Sequence, residues 1–331
     1  MDTVFIDYYT YNQMGSKTAS GKARQDCGRI LSECGYRGIF MFISRKSPFK
    51  TFFSWGKMLI RVPRYANVIV QYPLGGNNSL ITKSVLHTCI VKKCKITLLV
   101  HDIHSLRYTG NLSKTEASIL GMANNIIVHN EVMKEVLSKD VPNVKYYCLQ
   151  AFDYFIKEPA QNHDFDNTVV YAGNLQKSQF LKFLKNLDIR FHLYGAQVDE
   201  LDQICSDLVR HIGVFNQDDL SILAGDWGLV WDGTSIETCD GNYGEYLKYN
   251  APHKLSLYLV AHLPIIIWEQ AAEAKFIVEN KLGIAVSALK EIKKATAAIS
   301  REEYNQMKQN VVEYAKKLVQ GENLKALLAK L

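Results

Sequence analysis

Apolar and polar positions alternate in two rhythms along the 331-residue chain. Short runs rich in Val, Ile, Tyr and Phe are separated by helix-length amphipathic stretches, the pattern of parallel sheets made from βαβ units. In the first half it predicts strands at Thr3 to Tyr8, Gly38 to Ile43, Asn67 to Gln71, Lys95 to Val100, Asn125 to Val128 and Val144 to Leu149, with helices between them. The second half repeats the rhythm at Thr168 to Ala172, Arg190 to Tyr194, His211 to Val214, Trp227 to Trp231, Pro264 to Ile267 and Gly283 to Val286, and ends in helical sequence from Arg301. Ala151 to Asn167 carries Pro159, polar and acidic residues and no clear period, which marks a linker. Two doubly wound α/β domains are expected, residues 1–155 and 156–331. Ligands bind such sheets at the carboxyl ends of their strands, and a cleft between two of them is a natural site for a substrate pair.

Composition narrows the class. The formal charge is +6, but the basic residues are scattered rather than gathered into one long block, so no nucleic-acid partner is expected. Seven cysteines with no C-x-x-C pair suit neither a zinc ribbon nor a disulfide scaffold and read as reduced thiols. The N-terminus lacks the basic and apolar regions of a secretory signal. The longest apolar run, Leu255 to Trp268, is broken by His262 and Pro264 and is too short to span a bilayer. A cytoplasmic protein is expected, meeting any membrane-borne acceptor from the inner face.

Four segments carry candidate chemistry. The first strand runs into Gly15–Ala23, whose Gly15, Ser20 and Gly21 open a helix where backbone N–H groups could receive phosphate oxygens; the alternative is a plain tight turn. It is not a Walker A loop, because five residues separate the glycines and Ala23 follows Lys22, and it does not read G-x-G-x-x-G. The fourth strand ends in His101-Asp102, two titratable groups at the carboxyl edge of a sheet, where a general base should stand. Asp102 is the preferred base and His101 its alternate; the plain readings are a helix N-cap and a satisfied core histidine. His101 and His104 have no identifiable third partner, so no metal site is expected. In the second half, Gly173 and Asn174 follow a strand and lead to Lys177, which could reach a pyrophosphate or be a solvated lysine. Finally, Gly228–Asp232, a long polar loop through Tyr249 and Asn250, and a helix with Pro252 in its first turn place His253 and Lys254 at a positively polarised helix start.

The run Gly228–Asp232, the loop Gly241–Asn250 and the segment Pro252–Leu259 resemble bacterial β-1,6-galactofuranosyltransferases and, less closely, the glucosyltransferases that extend glycans on serine-rich adhesins. Leu98–Leu106, Gly110-Asn111 and the Gly173-Asn174 turn fit both groups. The resemblance implies the GT-B fold of two facing Rossmann-like domains, with the acceptor on the first and a UDP-sugar on the second, and inversion without an essential metal or other cofactor. It implies that Lys177 and Lys254 contact the diphosphate while the Gly15–Gly21 loop approaches from the other domain. Lys177 stands where the adhesin enzymes tend to have arginine, and the loop 233–250 is longer than theirs, which leans the donor toward galactofuranose over glucose. A lipid-linked or protein-linked glycan acceptor, peripheral membrane contact and a homo-oligomer are all compatible with it. The rival of another class is a non-catalytic nucleotide-sugar-binding subunit.

Overall fold

The computed structural model describes residues 2–9, 19–44, 46–75, 79–158, 160, 165–196 and 201–331. They form two compact units, Met1–Gln150 together with Asn323–Leu331, and Ala151–Glu322. The C-terminal tail, which the sequence pattern runs on with the second domain, groups with the first: Lys325 pairs with Glu33 at 3.0 Å, and Lys95 Nζ donates to the Leu331 carbonyl.

The first unit holds a parallel sheet of β1 (Thr3–Tyr9), β2 (Arg37–Phe42), β3 (Asn67–Tyr72), β4 (Lys95–Val100), β5 (Asn125–Val128) and β6 (Lys145–Cys148), in the order β2-β1-β3-β4-β5-β6. Val68 to Tyr72 and Ile96 to Val100 are buried at every position, because helices cover both faces and leave no side for a polar alternation. The order turns back between β1 and β3, which pair from Thr3↔Asn67 onward.

The second unit repeats the architecture with β7 (Val169–Ala172), β8 (Phe191–Tyr194), β9 (Val209–Gly213), β10 (Trp227–Val230), β11 (Ile265–Trp268) and β12 (Gly283–Val286). Their order, β12-β11-β10-β7-β8-β9, reverses between β7 and β10. Strand β9 starts two residues before its expected position, His211. It is an edge strand, anchored by buried Val209 opposite Phe191, while the apolar Ile212 and Val214 that suggested the later start are 45% and 70% exposed. The expected C-terminal helix is Arg301–Gln320, opened by a Ser300/Glu303 capping box. Among the described residues no helix is long and apolar enough to cross a membrane.

Candidate functional site

In open parallel sheets the carboxyl ends of the strands beside the reversal form a crevice that the connecting loops cannot fill, so the β7/β10 and β1/β3 junctions are where binding chemistry is expected. Both carry a buried polar cluster.

At the β7/β10 junction, Lys254 in the helix His253–Val260 brings its ammonium to the carboxyl ends of the two strands. Its Nζ donates to Asp232 Oδ1 at 2.8 Å, to the Trp231 carbonyl at 3.1 Å and to the Tyr171 hydroxyl at 3.1 Å, and lies 4.6 Å from the centre of the Tyr171 ring. Burial alone would favour the neutral amine. The carboxylate of Asp232 and the hydroxyls of Tyr171 and Tyr258 outweigh it, so the Lys254 pKa is raised. Burial also pushes the Tyr171 phenol up to about 12, with Lys254 pulling against it. The local sequence explains the close packing: a Cβ on Gly228 would lie 2.3 Å from the Tyr258 ring, so only glycine lets the helix seat on β10.

The segment after Asp232 is more ordered than a polar loop. Gly233 turns the chain at φ 116, Thr234 donates through N and Oγ1 to the Asp240 carboxylate, and a short helix spans Gly241–Tyr246. That helix presents Tyr243 to Lys177, whose ammonium is 5.1 Å from the ring centre. Gly173 has nothing within 4 Å of where a Cβ would stand, which leaves the turn open to a ligand. Asn174 caps it, its Oδ1 accepting from the Lys177 N–H at 3.2 Å. The element that follows is a 3-10 turn, Leu175–Lys177, rather than a full helix start. Tyr249 and Asn250 are half-buried, and among the described residues the buried Asn250 Oδ1 finds no hydrogen-bond donor. His253 stacks on Tyr154 with centroids 4.8 Å apart.

At the β1/β3 junction a polar chain runs through the core. His101 Nε2 and Gln71 Oε1 are 2.8 Å apart, and Gln71 Nε2 donates to Asp7 Oδ2 at 3.0 Å and to the Arg24 carbonyl at 3.3 Å. Arg24 closes the chain, donating to Asp7 Oδ1 at 2.6 Å and to the carbonyls of Gln71 and Pro73. Burial pushes the Asp7 carboxyl above its ordinary value, with the Arg24 guanidinium opposing it. With two acceptors facing its Nε2, the Gln71 amide has one orientation, so its Oε1 accepts and the His101 ring carries its proton on Nε2.

Asp102 is held differently. Its Oδ1 pairs with Arg107 at 2.8 Å. The N-cap residue of the following helix, His104–Thr109, is Ile103, and Glu116 supplies capping acceptors from a distance, taking the His104 N–H at 3.1 Å and the Ser105 N–H at 2.7 Å. Gly15 lies outside the described residues. Ser20 falls in the helix Ala19–Glu33, and Gly21 lines a cavity of about 390 Å³ with Tyr8, Tyr9 and Arg24. Among the described residues no group of three or more His, Cys, Asp or Glu is placed to hold a metal ion.

Asp232, Tyr171, Asp7, Arg24 and Gln71 were not sequence candidates. For Asp7 and Gln71 a signal existed, a single polar residue inside Val-Phe-Ile-Asp-Tyr and Val-Ile-Val-Gln-Tyr. A polar group in a fully buried strand needs a buried partner.

Residues 5–151 match the model of the glucosyltransferase 3-like N-terminal domain, and residues 169–331 that of the C-terminal domain. The chain belongs to the glucosyltransferase 3-like family of glycosyltransferases. It is 33% identical over 242 residues to the β-1,6-galactofuranosyltransferase WbbI of Escherichia coli K12, covering 71% of each chain. It is 23% identical over 263 residues to glucosyltransferase 3 of Streptococcus gordonii, covering 78% of this chain and 76% of that one. Among solved structures, HepE of Anabaena in complex with UDP-glucose superposes over 100% of both chains with a TM-score of 0.64 at 11% identity. WaaG, a glycosyltransferase of lipopolysaccharide biosynthesis, does so over 98% of both with a TM-score of 0.57 at 10% identity. The two parallel six-stranded sheets are thus those of the GT-B fold.

Proposed function

We propose that this glycosyltransferase moves galactofuranose from its UDP conjugate to a hydroxyl of a carbohydrate acceptor, with inversion and without an essential metal, in surface polysaccharide synthesis at the cytoplasmic face of the membrane. The observation that carries the donor assignment is the β7/β10 junction, where two lysines, the open Gly173 turn and the start of the helix His253–Val260 collect positive charge at the sheet's natural ligand site. The higher identity to the galactofuranosyltransferase than to the glucosyltransferase supports the sugar.

Departure of UDP leaves negative charge on a diphosphate, and groups already oriented toward it lower the barrier most. Lys177 is exposed and meets it directly. Lys254 has its three N–H groups committed to Tyr171, Trp231 and Asp232, so it exchanges one of them for a phosphate oxygen while Asp232 keeps it in place. On the first unit the acceptor hydroxyl gives its proton to His101. With Nε2–H held by Gln71, the lone pair of the neutral ring is on Nδ1, an atom buried in the ligand-free chain that the bound acceptor must reach, and the imidazolium that forms is stabilised through Gln71 by Asp7. Asp102 is the other candidate for this work, with its Oδ1 engaged by Arg107.

Initial rates with UDP-galactofuranose and UDP-glucose on a panel of glycan acceptors, with and without a chelator, test this reading. Galactofuranose transfer that survives chelation is expected. Faster glucose transfer reassigns the donor, and binding of UDP with no turnover of any pair makes the chain a nucleotide-sugar-binding subunit.

A further inference from the structure

The helix Pro48–Arg61 on the first unit buries one face, through Met58 and the following Val62, and is fixed at its far end by Lys92, whose ammonium donates to the Leu59 and Val62 carbonyls at 2.5 Å. Its opposite face is apolar and bare. Phe49, Phe52, Phe53 and Ile60 are 79%, 63%, 66% and 84% exposed, and with Gly56 they follow the spacing of one helical stripe. A water-facing helix gains nothing from such a stripe, which costs free energy until something covers it.

Charge says what covers it. The basic residues are scattered singly, yet between Cys34 and His101 there are eleven lysines and arginines and not one Asp or Glu, so the rest of the chain is net negative. Lys46, Lys50, Lys57, Arg61 and Arg64 are exposed on or beside the helix. Lys50, Lys57 and Arg61 also line a groove of about 580 Å³ together with Phe40 and Phe53. A second copy of the chain would bring this positive surface against itself. Nucleic acid would satisfy the charge but not the aliphatic Ile60 and three solvated phenylalanines. An interfacial helix with aromatic residues on one side and basic residues flanking them fits an anionic bilayer, which takes the rings at the acyl boundary and pairs the lysines with lipid phosphates.

We propose that the Pro48–Arg61 helix is a membrane-surface anchor, lying in the interface of an anionic leaflet with Phe49, Phe52, Phe53 and Ile60 inserted and the groove at Lys50, Lys57 and Arg61 receiving lipid headgroups. It adds a partner to the reading above and is independent of the donor, because its test contains no sugar nucleotide.

Flotation of the full chain with phosphatidylglycerol/phosphatidylcholine vesicles is compared with pure phosphatidylcholine. The wild type is expected to float with the anionic vesicles, and added salt to weaken binding. Phe52→Ser/Phe53→Ser and Lys50→Glu/Lys57→Glu should each reduce the partition coefficient at least about tenfold. Circular dichroism, melting and transfer to a soluble acceptor, none of which these positions serve, should be unchanged. Wild type that stays off anionic vesicles overturns the proposal. So does a phenylalanine variant that floats normally, whether it changes the oligomeric state by light scattering or leaves a strong affinity for duplex DNA intact.

Discussion

His101 Nε2 donates to Gln71 Oε1 at 2.8 Å, and the same amide donates from its other end to Asp7. The bond is directional. A glutamine pinned by a carboxylate can only offer its oxygen to the ring, so the tautomer of His101 is set from inside the β-sheet, two side chains away.

His101→Ala should therefore lower kcat by about a hundredfold or more while leaving UDP affinity within about twofold, the usual scale for losing a general base. Gln71→Met, of similar volume, keeps the imidazole but frees its tautomer and leaves Asp7 with Arg24 alone. A kcat loss of about tenfold is expected, with KM for the acceptor little changed, since an unfixed tautomer presents the reactive nitrogen only part of the time. Equal losses in both variants would mean that Gln71 acts by holding the fold.

Asp102→Asn should keep transfer within about fivefold of wild type. The substitution removes an ion pair with Arg107 that is about a quarter exposed on each side, so its effect on stability should stay within about 1 kcal/mol. Loss of transfer by about a hundredfold in a normally melting protein would return the base to Asp102.

Lys254→Ala leaves the Asp232 carboxylate and Tyr171 hydroxyl without their cation in a largely buried setting. A destabilisation of about 3 kcal/mol is expected together with weaker UDP binding. Lys254→Met/Asp232→Asn removes both charges and should recover most of the stability but none of the UDP affinity. Urea unfolding and UDP titration on the same preparations separate the two effects. Recovery of both would show that the lysine serves packing alone.

Stability should fall in mild acid because of His129. The ring is fully buried and donates to the Val100 carbonyl at 3.1 Å; burial lowers its pKa from 6.5 to about 4, with the nearby Arg107 acting in the same direction. The unfolded chain therefore binds the proton first. Its contribution is complete above pH 6.5 and is lost as the pH falls from there toward 4. The full loss is of order 3 kcal/mol. His129→Gln, which keeps the donor, should flatten the dependence of the unfolding free energy on pH in that window. An unchanged slope would assign the acid sensitivity to other groups.

The alternation of apolar runs and amphipathic stretches was sufficient for the twelve strands of the described residues and the helix after Ser300, because burial on both faces of a parallel sheet writes itself into consecutive Val, Ile and Leu. Five strand starts fall one residue from the expected position, and the largest displacement, two residues, is at the exposed edge strand β9, where few side chains meet a neighbour. Gly173, Asn174, Lys177 and Lys254 were singled out for a similar reason: strand ends followed by small or capping residues are local events.

What the chain sequence could not reveal was which polar groups meet. Asp232 and Lys254 are 22 positions apart, Tyr171 and Lys254 83, and Asp7 and Gln71 64. Each pair forms because strand order, which depends on the packing of the whole sheet, brings those carboxyl ends together. The same holds for Asp102, which by position alone is a base or a helix cap. The folded chain supplied Arg107 from the following turn as its partner and Glu116 from the next helix as a capping acceptor, because hydrogen bonds in a folded core go to the nearest complementary group in space.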